Sequence, residues 1–277
     1  MAAPKLPPMD AIRLAFIGGG NMAGAIFGGL IDAGWPADAL TVVEPLDEQR
    51  ARIAATRQGV RLLARADATL ADAQLVLWAV KPQVFADAAA AAAPHIGHAL
   101  QLSVMAGIRS DAIARASGSE RVVRAMPNTP ALIGQGISGL YARPAVGSAD
   151  RAVVERVLAP TGQLLWFDAE ADLDAVTALS GSGPAYVFYV IEAMVEAGTQ
   201  MGLSTAAARA LAQQTLAGAA QLAIRSNESP ATLRERVTSK GGTTHAAITS
   251  LEASGVKAAF VRALHAARTR AEELGRS

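Results

Sequence analysis

No cysteine occurs among the 277 residues, which excludes a disulfide framework, a thiolate nucleophile and a zinc–thiolate site. Histidine is scarce: His95, His98, His245 and His265 are scattered, and none sits in the HExxH spacing of a metal helix. His95 and His98 can share a helix face, but two ligands without a carboxylate partner read as a solvated helix end. Charged residues make up only 18% of the chain, and they nearly cancel, 25 basic against 24 acidic for a net charge of +1. Such a balance exerts no broad pull on nucleic acid or anionic lipid, so neither is expected as a partner. No apolar stretch runs for the roughly 18 residues of a membrane span without a charge or glycine breaking it. The expectation is a soluble, cytoplasmic protein. The first ten residues are proline-rich and lack an apolar signal core, so they read as a frayed lead-in.

What is present is apolar: 51% of residues are hydrophobic, enough for a sizeable core in one large domain or two ordinary ones. From Ile12 to about Phe167, short apolar runs alternate with helical patterns. Arg13–Ile17, Leu40–Val43, Leu75–Val80, Leu100–Val104 and Val122–Ala125 have strand length. Ala23–Ala33, Asp47–Gln58, Val84–Ala93 and Ser110–Ala116 have helical periodicity, and the alanine run Ala88–Ala93 is a packed helix rather than a linker. This alternation implies βαβ units and a parallel sheet covered on both faces. After Asp168 no strand candidate remains. Asp174–Met201, Ala206–Ile224, Pro230–Val237, Thr244–Ala253 and Val256–Leu274 are helical patterns, apolar over more than one face. The fold class expected is α/β: an N-terminal Rossmann-type doubly wound sheet in residues 1–167, then an all-α dimerisation and substrate-binding domain in residues 168–277.

Arg13–Ile17 leads into Gly18-Gly19-Gly20-Asn21-Met22-Ala23, a G-x-G-x-x-A turn between a strand and a helix. Gly18 permits the tight turn, Gly20 lets a pyrophosphate approach the backbone, and Ala23 lets helix and strand pack closely. The phosphates would rest on helix N–H groups. Glu44, at the end of the second strand, stands where an acid binds the adenosine ribose, which favours NAD(H); alternatively it caps the following helix. Arg50 and Arg52 are placed to answer a 2′-phosphate instead, so NADH and NADPH both stay open. Ala79-Val80-Lys81-Pro82 and Val104-Met105-Ala106 end two further strands beside the same cleft. Lys81 is either a catalytic acid or a solvated loop residue. Asn128, between two prolines, fixes an extended loop and borders the cleft or does not.

A second feature is Ser239-Lys240-Gly241-Gly242-Thr243-Thr244, a small-residue, hydroxyl-bearing turn between two helical patterns. It either joins two helices or holds a carboxylate on its N–H groups and hydroxyls. Ser180-Gly181-Ser182-Gly183-Pro184 reads as a break that lets a helix start close to the sheet, with proline in its first turn. Phe188, Tyr189 and Met194 read as core or dimer interface.

Together with Arg124-Ala125-Met126-Pro127-Asn128-Thr129-Pro130 and Leu179–Tyr186, these motifs resemble the pyrroline-5-carboxylate reductase family over nearly the whole chain. The resemblance implies reduction of the C=N bond of 1-pyrroline-5-carboxylate by NADPH or NADH, giving L-proline. It implies cofactor contacts from Ile17, Gly18, Gly19, Gly20, Asn21, Met22, Ala79, Val80, Lys81, Pro82, Val104, Met105 and Ala106. It places the substrate carboxylate on Gly241, Gly242, Thr243 and Thr244, with Thr244 and then Ser239 as candidates for the ring nitrogen. Glu170 matches a position that approaches bound proline, and Arg236 one that reaches the cofactor of a partner subunit. Interlocked homodimers follow, with a decamer of five dimers as the larger assembly. Two departures stand out. Lys240 replaces a proline common in relatives, and Ala66 replaces a polar residue that touches the adenosine, with Asp67 beside it. A hydroxyacid dehydrogenase is the first rival, but it uses a lysine on the long helix, and Ala185–Met201 has none. A silent NAD(P)H-binding regulator is the second.

Overall fold

The computed structural model describes residues 12–276, so the lead-in expected at residues 1–10 lies outside the described residues. The chain divides into two compact units: one runs to Ser182 and takes back residues 267–276, the other is Gly183–Ala266. The first unit therefore continues past residue 167 through one short helical segment.

In the first unit, β1 (Leu14–Ile17), β2 (Leu40–Val43), β3 (Arg61–Leu63), β4 (Leu75–Trp78), β5 (Leu100–Ser103), β6 (Val122–Met126), β7 (Gly136–Ala142) and β8 (Gly162–Phe167) form one sheet. Its order is β3-β2-β1-β4-β5-β6-β7-β8. Both faces are covered, which explains why β1 and β4 are buried at every position rather than alternating. Leu14 and Phe16 pack with α1 (Asn21–Asp32), which contributes Ala23, Ile26, Phe27 and Leu30, and with Val154 and Leu158 of α5 (Ser148–Leu158). Ala15 and Ile17 face α3 (Phe85–Ala92) and α4 (Ser110–Ser117) through Phe85, Ala89 and Ile113. In the middle of the sheet the buried Trp78 indole donates to Gln101 Oε1 at 2.8 Å, while Gln101 Nε2 donates to the Ala99 carbonyl.

The order reverses at β1, whose neighbours β2 and β4 lie on opposite sides. Ile17 is level with Val43 and with Trp78, so three carboxyl ends finish together and open a crevice at the switch point. One pairing departs from the expected parallel sheet: β6 and β7 are antiparallel. Their connection is a 3-10 turn, Thr129–Ile133, far short of a crossover helix, and so returns the chain antiparallel. β7 then pairs parallel with β8, across α5.

After β8, α6 (Asp172–Val176) runs into a π turn, Thr177–Gly181, closed by Ser182 N–H donating to the Thr177 carbonyl at 2.8 Å. A side chain on Gly181 would meet Met126 Cε at 2.7 Å, so this glycine permits close packing. The second unit holds α7 (Gly183–Gln200), α8 (Thr205–Arg225), α9 (Pro230–Arg236), α10 (Thr243–Ala253) and the first part of α11 (Val256–Leu274). Ser204 and Ser229 cap α8 and α9 through their hydroxyls. Tyr186 and Phe260 meet edge-on at 5.9 Å. The buried apolar side chains of this unit are Ala208 and Ala212, while Phe188 is 59% and Tyr189 74% exposed. Among the described residues no helix is long and apolar enough to cross a membrane.

Candidate functional site

The glycine turn follows β1 directly. Gly18 has φ +98°, and a Cβ there would stand 2.7 Å from the Ala79 carbonyl oxygen. Only glycine satisfies both conditions. Its N–H donates to the Val43 carbonyl at 2.9 Å. Above Gly20 the space is open, with no atom within 4 Å of an added Cβ. Gly20 is also the N-cap of α1, which has no side-chain cap and no acid in its first turn. The leading N–H groups of a helix have no intrahelical acceptor, so this end offers a positive field and donors to an anion. The residues present thus fit a dinucleotide pyrophosphate. A cleft of about 640 Å³ opens beside the turn, lined by Gly20, Asn21, Gln49, Arg52 and Thr56 among others.

Ala79 and Val80 are half-buried and Lys81 and Pro82 exposed at the end of β4. Beyond β5, Val104 N–H donates to the Trp78 carbonyl and Met105 N–H to Ser103 Oγ, so the two strand ends are tied together. The side chains of Ile17 and Met105 are buried in the core. Ala106 is exposed. Asn128 is spent on the loop, its Oδ1 accepting from Ile137 N–H at 3.0 Å. Asp67 caps the 3-10 turn Ala68–Asp72, and the Thr69 hydroxyl and N–H hold its carboxyl below the ordinary carboxylate range.

Glu44 is buried, with Oε2 accepting from Gly19 N–H and Oε1 from Leu46 N–H, each at 3.0 Å. The carboxylate thus bridges the glycine turn and the residue that heads α2 (Asp47–Thr56). Arg50 donates to the Glu44 carbonyl at 2.7 Å and pairs with Asp47, whereas Arg52 is exposed beside the cleft.

Glu170 lies at the centre of a polar network that sequence reading left unassembled. Its Oε1 accepts from Ser110 N–H at 2.6 Å and from Arg124 Nη1 at 2.8 Å, and its Oε2 from Ser110 Oγ at 2.7 Å. Burial pushes the Glu170 carboxyl up, but the bonds from Ser110 and Arg124 outweigh it and hold the group below its ordinary range. Arg124 is deeply buried, which lowers its pKa, and its Nε has no partner. Arg109 pairs with Asp174 at 2.7 Å next to it. An arginine inside the apolar run of β6 was the sequence signal, since a buried charge demands a partner.

In the helical unit, Gly241 has φ +76° and Gly242 N–H donates to the Ser239 carbonyl at 3.0 Å, closing a tight turn. Gly242 is the N-cap of α10, again with no side-chain cap and no acid in the first turn. Thr243 and Thr244 are the first two residues of that helix, and Lys240 and Ser239 are exposed just before it. This is a second uncapped helix start, edged by hydroxyls and one cation, suited to a carboxylate. Arg236 pairs with Glu228 at 2.5 Å, and its side chain is 67% exposed. Among the described residues no cluster of acidic and histidine side chains is arranged to hold a metal ion.

Comparison with known proteins decides the family. A pyrroline-5-carboxylate reductase from Pseudomonas aeruginosa is 46% identical over 268 residues, covering 96% of this chain and 98% of the relative. The chain belongs to the pyrroline-5-carboxylate reductase family. Residues 170–274 match the model for pyrroline-5-carboxylate reductase dimerisation, and residues 13–107 match that for coenzyme F420-dependent NADP oxidoreductase. Among solved structures, a pyrroline-5-carboxylate reductase from Coxiella burnetii superposes with a TM-score of 0.89 at 34% identity, covering 97% of this chain and all of that one. The Plasmodium falciparum pyrroline carboxylate reductase, solved with NADP bound, gives 0.86 at 27% identity, with 97% and 100% covered. The Rossmann-type unit followed by a helical dimerisation domain is therefore the family's arrangement.

Proposed function

We propose that this chain reduces the C=N bond of 1-pyrroline-5-carboxylate to L-proline, using NADPH or NADH. The observation that carries the substrate is the Gly241–Thr244 turn: an uncapped helix start with two threonines, in a chain of this family. A glycine turn of the kind at Gly18–Gly20 serves many dehydrogenases, whereas the second turn matches a small carboxylate.

Reduced nicotinamide, when bound, supplies the hydride. The chain's own residues bind and orient. N–H groups from Gly20 to Met22 take the pyrophosphate, and Ile17, Gly18, Gly19, Ala79–Pro82 and Val104–Ala106 shape the crevice for the rest of the cofactor. Thr243 and Thr244, with Gly241 and Gly242, hold the substrate carboxylate. Thr244 is the first candidate to hydrogen-bond the ring nitrogen, with Ser239 second. The cyclic imine is basic enough to be protonated as it binds, so hydroxyls and backbone suffice to position it and no strong general acid is required. One hydride on carbon and one proton on nitrogen complete the amine. By family resemblance Glu170 approaches bound proline and Arg236 the cofactor of a partner subunit; within this chain Glu170 bonds Ser110 and Arg124, and Arg236 pairs with Glu228. The exposed apolar faces of α7 and α8 form the homodimer contact, since burying the remaining exposed part of a side chain such as Phe188 contributes ~1–2 kcal/mol.

The test is consumption of reduced nicotinamide by the purified chain on addition of 1-pyrroline-5-carboxylate, with NADPH and NADH run in parallel. Turnover with at least one is expected. Cofactor binding without turnover would leave the silent regulator, and turnover of hydroxyacids alone the dehydrogenase.

A further inference from the structure

Three glycines in succession make the turn after β1 the most flexible kind of chain, and ordering it costs more conformational entropy than ordering other residues. The structure shows what offsets this. Both backbone polar groups of Gly19 are gripped by side chains from the β2–α2 segment: Glu44 Oε2 accepts from its N–H at 3.0 Å, and Gln49 Nε2 donates to its carbonyl at 2.6 Å. The third side is closed by packing, because a Cβ on Gly19 would stand 2.8 Å from Ile53 Cδ1 and 3.2 Å from Val42 Cγ1. Glu44 is fixed in turn by Leu46 N–H, and Gln49 stands in the first turn of α2.

We infer that Glu44 and Gln49 form a clamp that pre-organises the tri-glycine turn for the cofactor pyrophosphate, and that Glu44 is a positioning residue rather than the selector between NADH and NADPH. The inference rests on the dinucleotide reading of that turn. Holding Gly19 at both its N–H and its carbonyl fixes where the Gly20 and Asn21 N–H groups point, so the cofactor meets donors already aimed and loses less freedom on binding. A clamp acting on the pyrophosphate, which both cofactors share, has the same effect on each. An acid selecting at the ribose has opposite effects on the two.

Direct binding of NADPH and NADH, read by reduced-nicotinamide fluorescence and calorimetry without substrate, separates these outcomes. Gln49→Ala removes one grip with no change of charge, and Glu44→Ala removes the other. Each is expected to weaken both cofactors by a similar factor, roughly tenfold for a lost well-formed hydrogen bond. Glu44→Gln, which keeps one acceptor oxygen, should fall between, and the double variant should lose less than the product of the singles because both hold the same residue, Gly19. The substrate KM at saturating cofactor should stay near that of the wild type. The clamp is overturned if Glu44→Ala tightens NADPH while weakening NADH and Gln49→Ala is silent. It is equally overturned if both variants melt earlier yet bind both cofactors as the wild type does. Wild-type protein that binds neither cofactor would remove the functional reading, and the clamp with it.

Discussion

Replacing Glu170 with alanine tests whether this carboxylate is structural in the first unit. The substitution deletes three acceptor contacts, from Ser110 N–H, Ser110 Oγ and Arg124 Nη1. It also leaves the Arg124 guanidinium, 5% exposed and with Nε already unpaired, as an uncompensated buried charge. Removing one partner of a buried pair costs about 3–5 kcal/mol, and the 21% exposure that Glu170 retains places this case near the lower end, ~3 kcal/mol. At about 2–4 °C per kcal/mol for a domain of this size, the melting temperature should fall by roughly 6–12 °C. Adding Arg124→Met should recover much of that loss, since the stranded charge goes with it. The pH dependence has a definite sign. The folded pKa of Glu170 lies below its unfolded value, so its contribution is complete above the ordinary carboxylate range and disappears as pH falls through the folded value. The gap between wild type and Glu170→Ala should therefore close on acidification. Denaturant and thermal melts across pH give all three numbers. A variant as stable as wild type at neutral pH, or a double variant showing the summed losses of its singles, would refute the buried-pair reasoning.

Other perturbations have equally direct readouts. Gly18→Ala drives a Cβ into the Ala79 carbonyl at 2.7 Å and should abolish measurable cofactor binding in calorimetry while leaving the helical unit's circular dichroism intact. Thr244→Ala should weaken substrate turnover far more than cofactor binding; equal loss of both would remove Thr244 from the substrate site. Gln101→Leu leaves the buried Trp78 indole N–H without its acceptor and should cost ~1–3 kcal/mol in a urea melt with little change in KM. Asp150 is held below the ordinary carboxylate range chiefly by Arg121, so Asp150→Asn should matter at neutral pH and become neutral in acid, as a melt series would show.

The sequence made some of this legible and concealed the rest for physical reasons. The G-x-G-x-x-A turn was readable because an apolar strand precedes it and a small-faced helix follows. The helical half was readable because its periodicity runs unbroken by strand patterns. Three strands were not. β3 has three residues at an edge, β7 is broken by two glycines and a serine, and β8, at the other edge, offers only the short run Leu164–Phe167. The 20-residue offset located Glu44, but the direction of its carboxylate depends on the Gly19 N–H, a neighbour in space only. Gln49 gave no signal, since a glutamine in the first turn of a helix is ordinarily solvated. Glu170 was found through family resemblance, yet its partners Ser110 and Arg124 come from segments 60 and 46 residues away.

The central claim is hydride delivery to the imine carbon of a small cyclic carboxylate. Incubating the enzyme with 1-pyrroline-5-carboxylate and reduced cofactor deuterated at the transferring position, then locating the label in the product, tests it most directly. L-proline carrying a single deuterium on the ring carbon across the nitrogen from the carboxylate-bearing carbon is the expected product. Unlabelled proline, or recovery of unreacted imine with both NADPH and NADH, would contradict it.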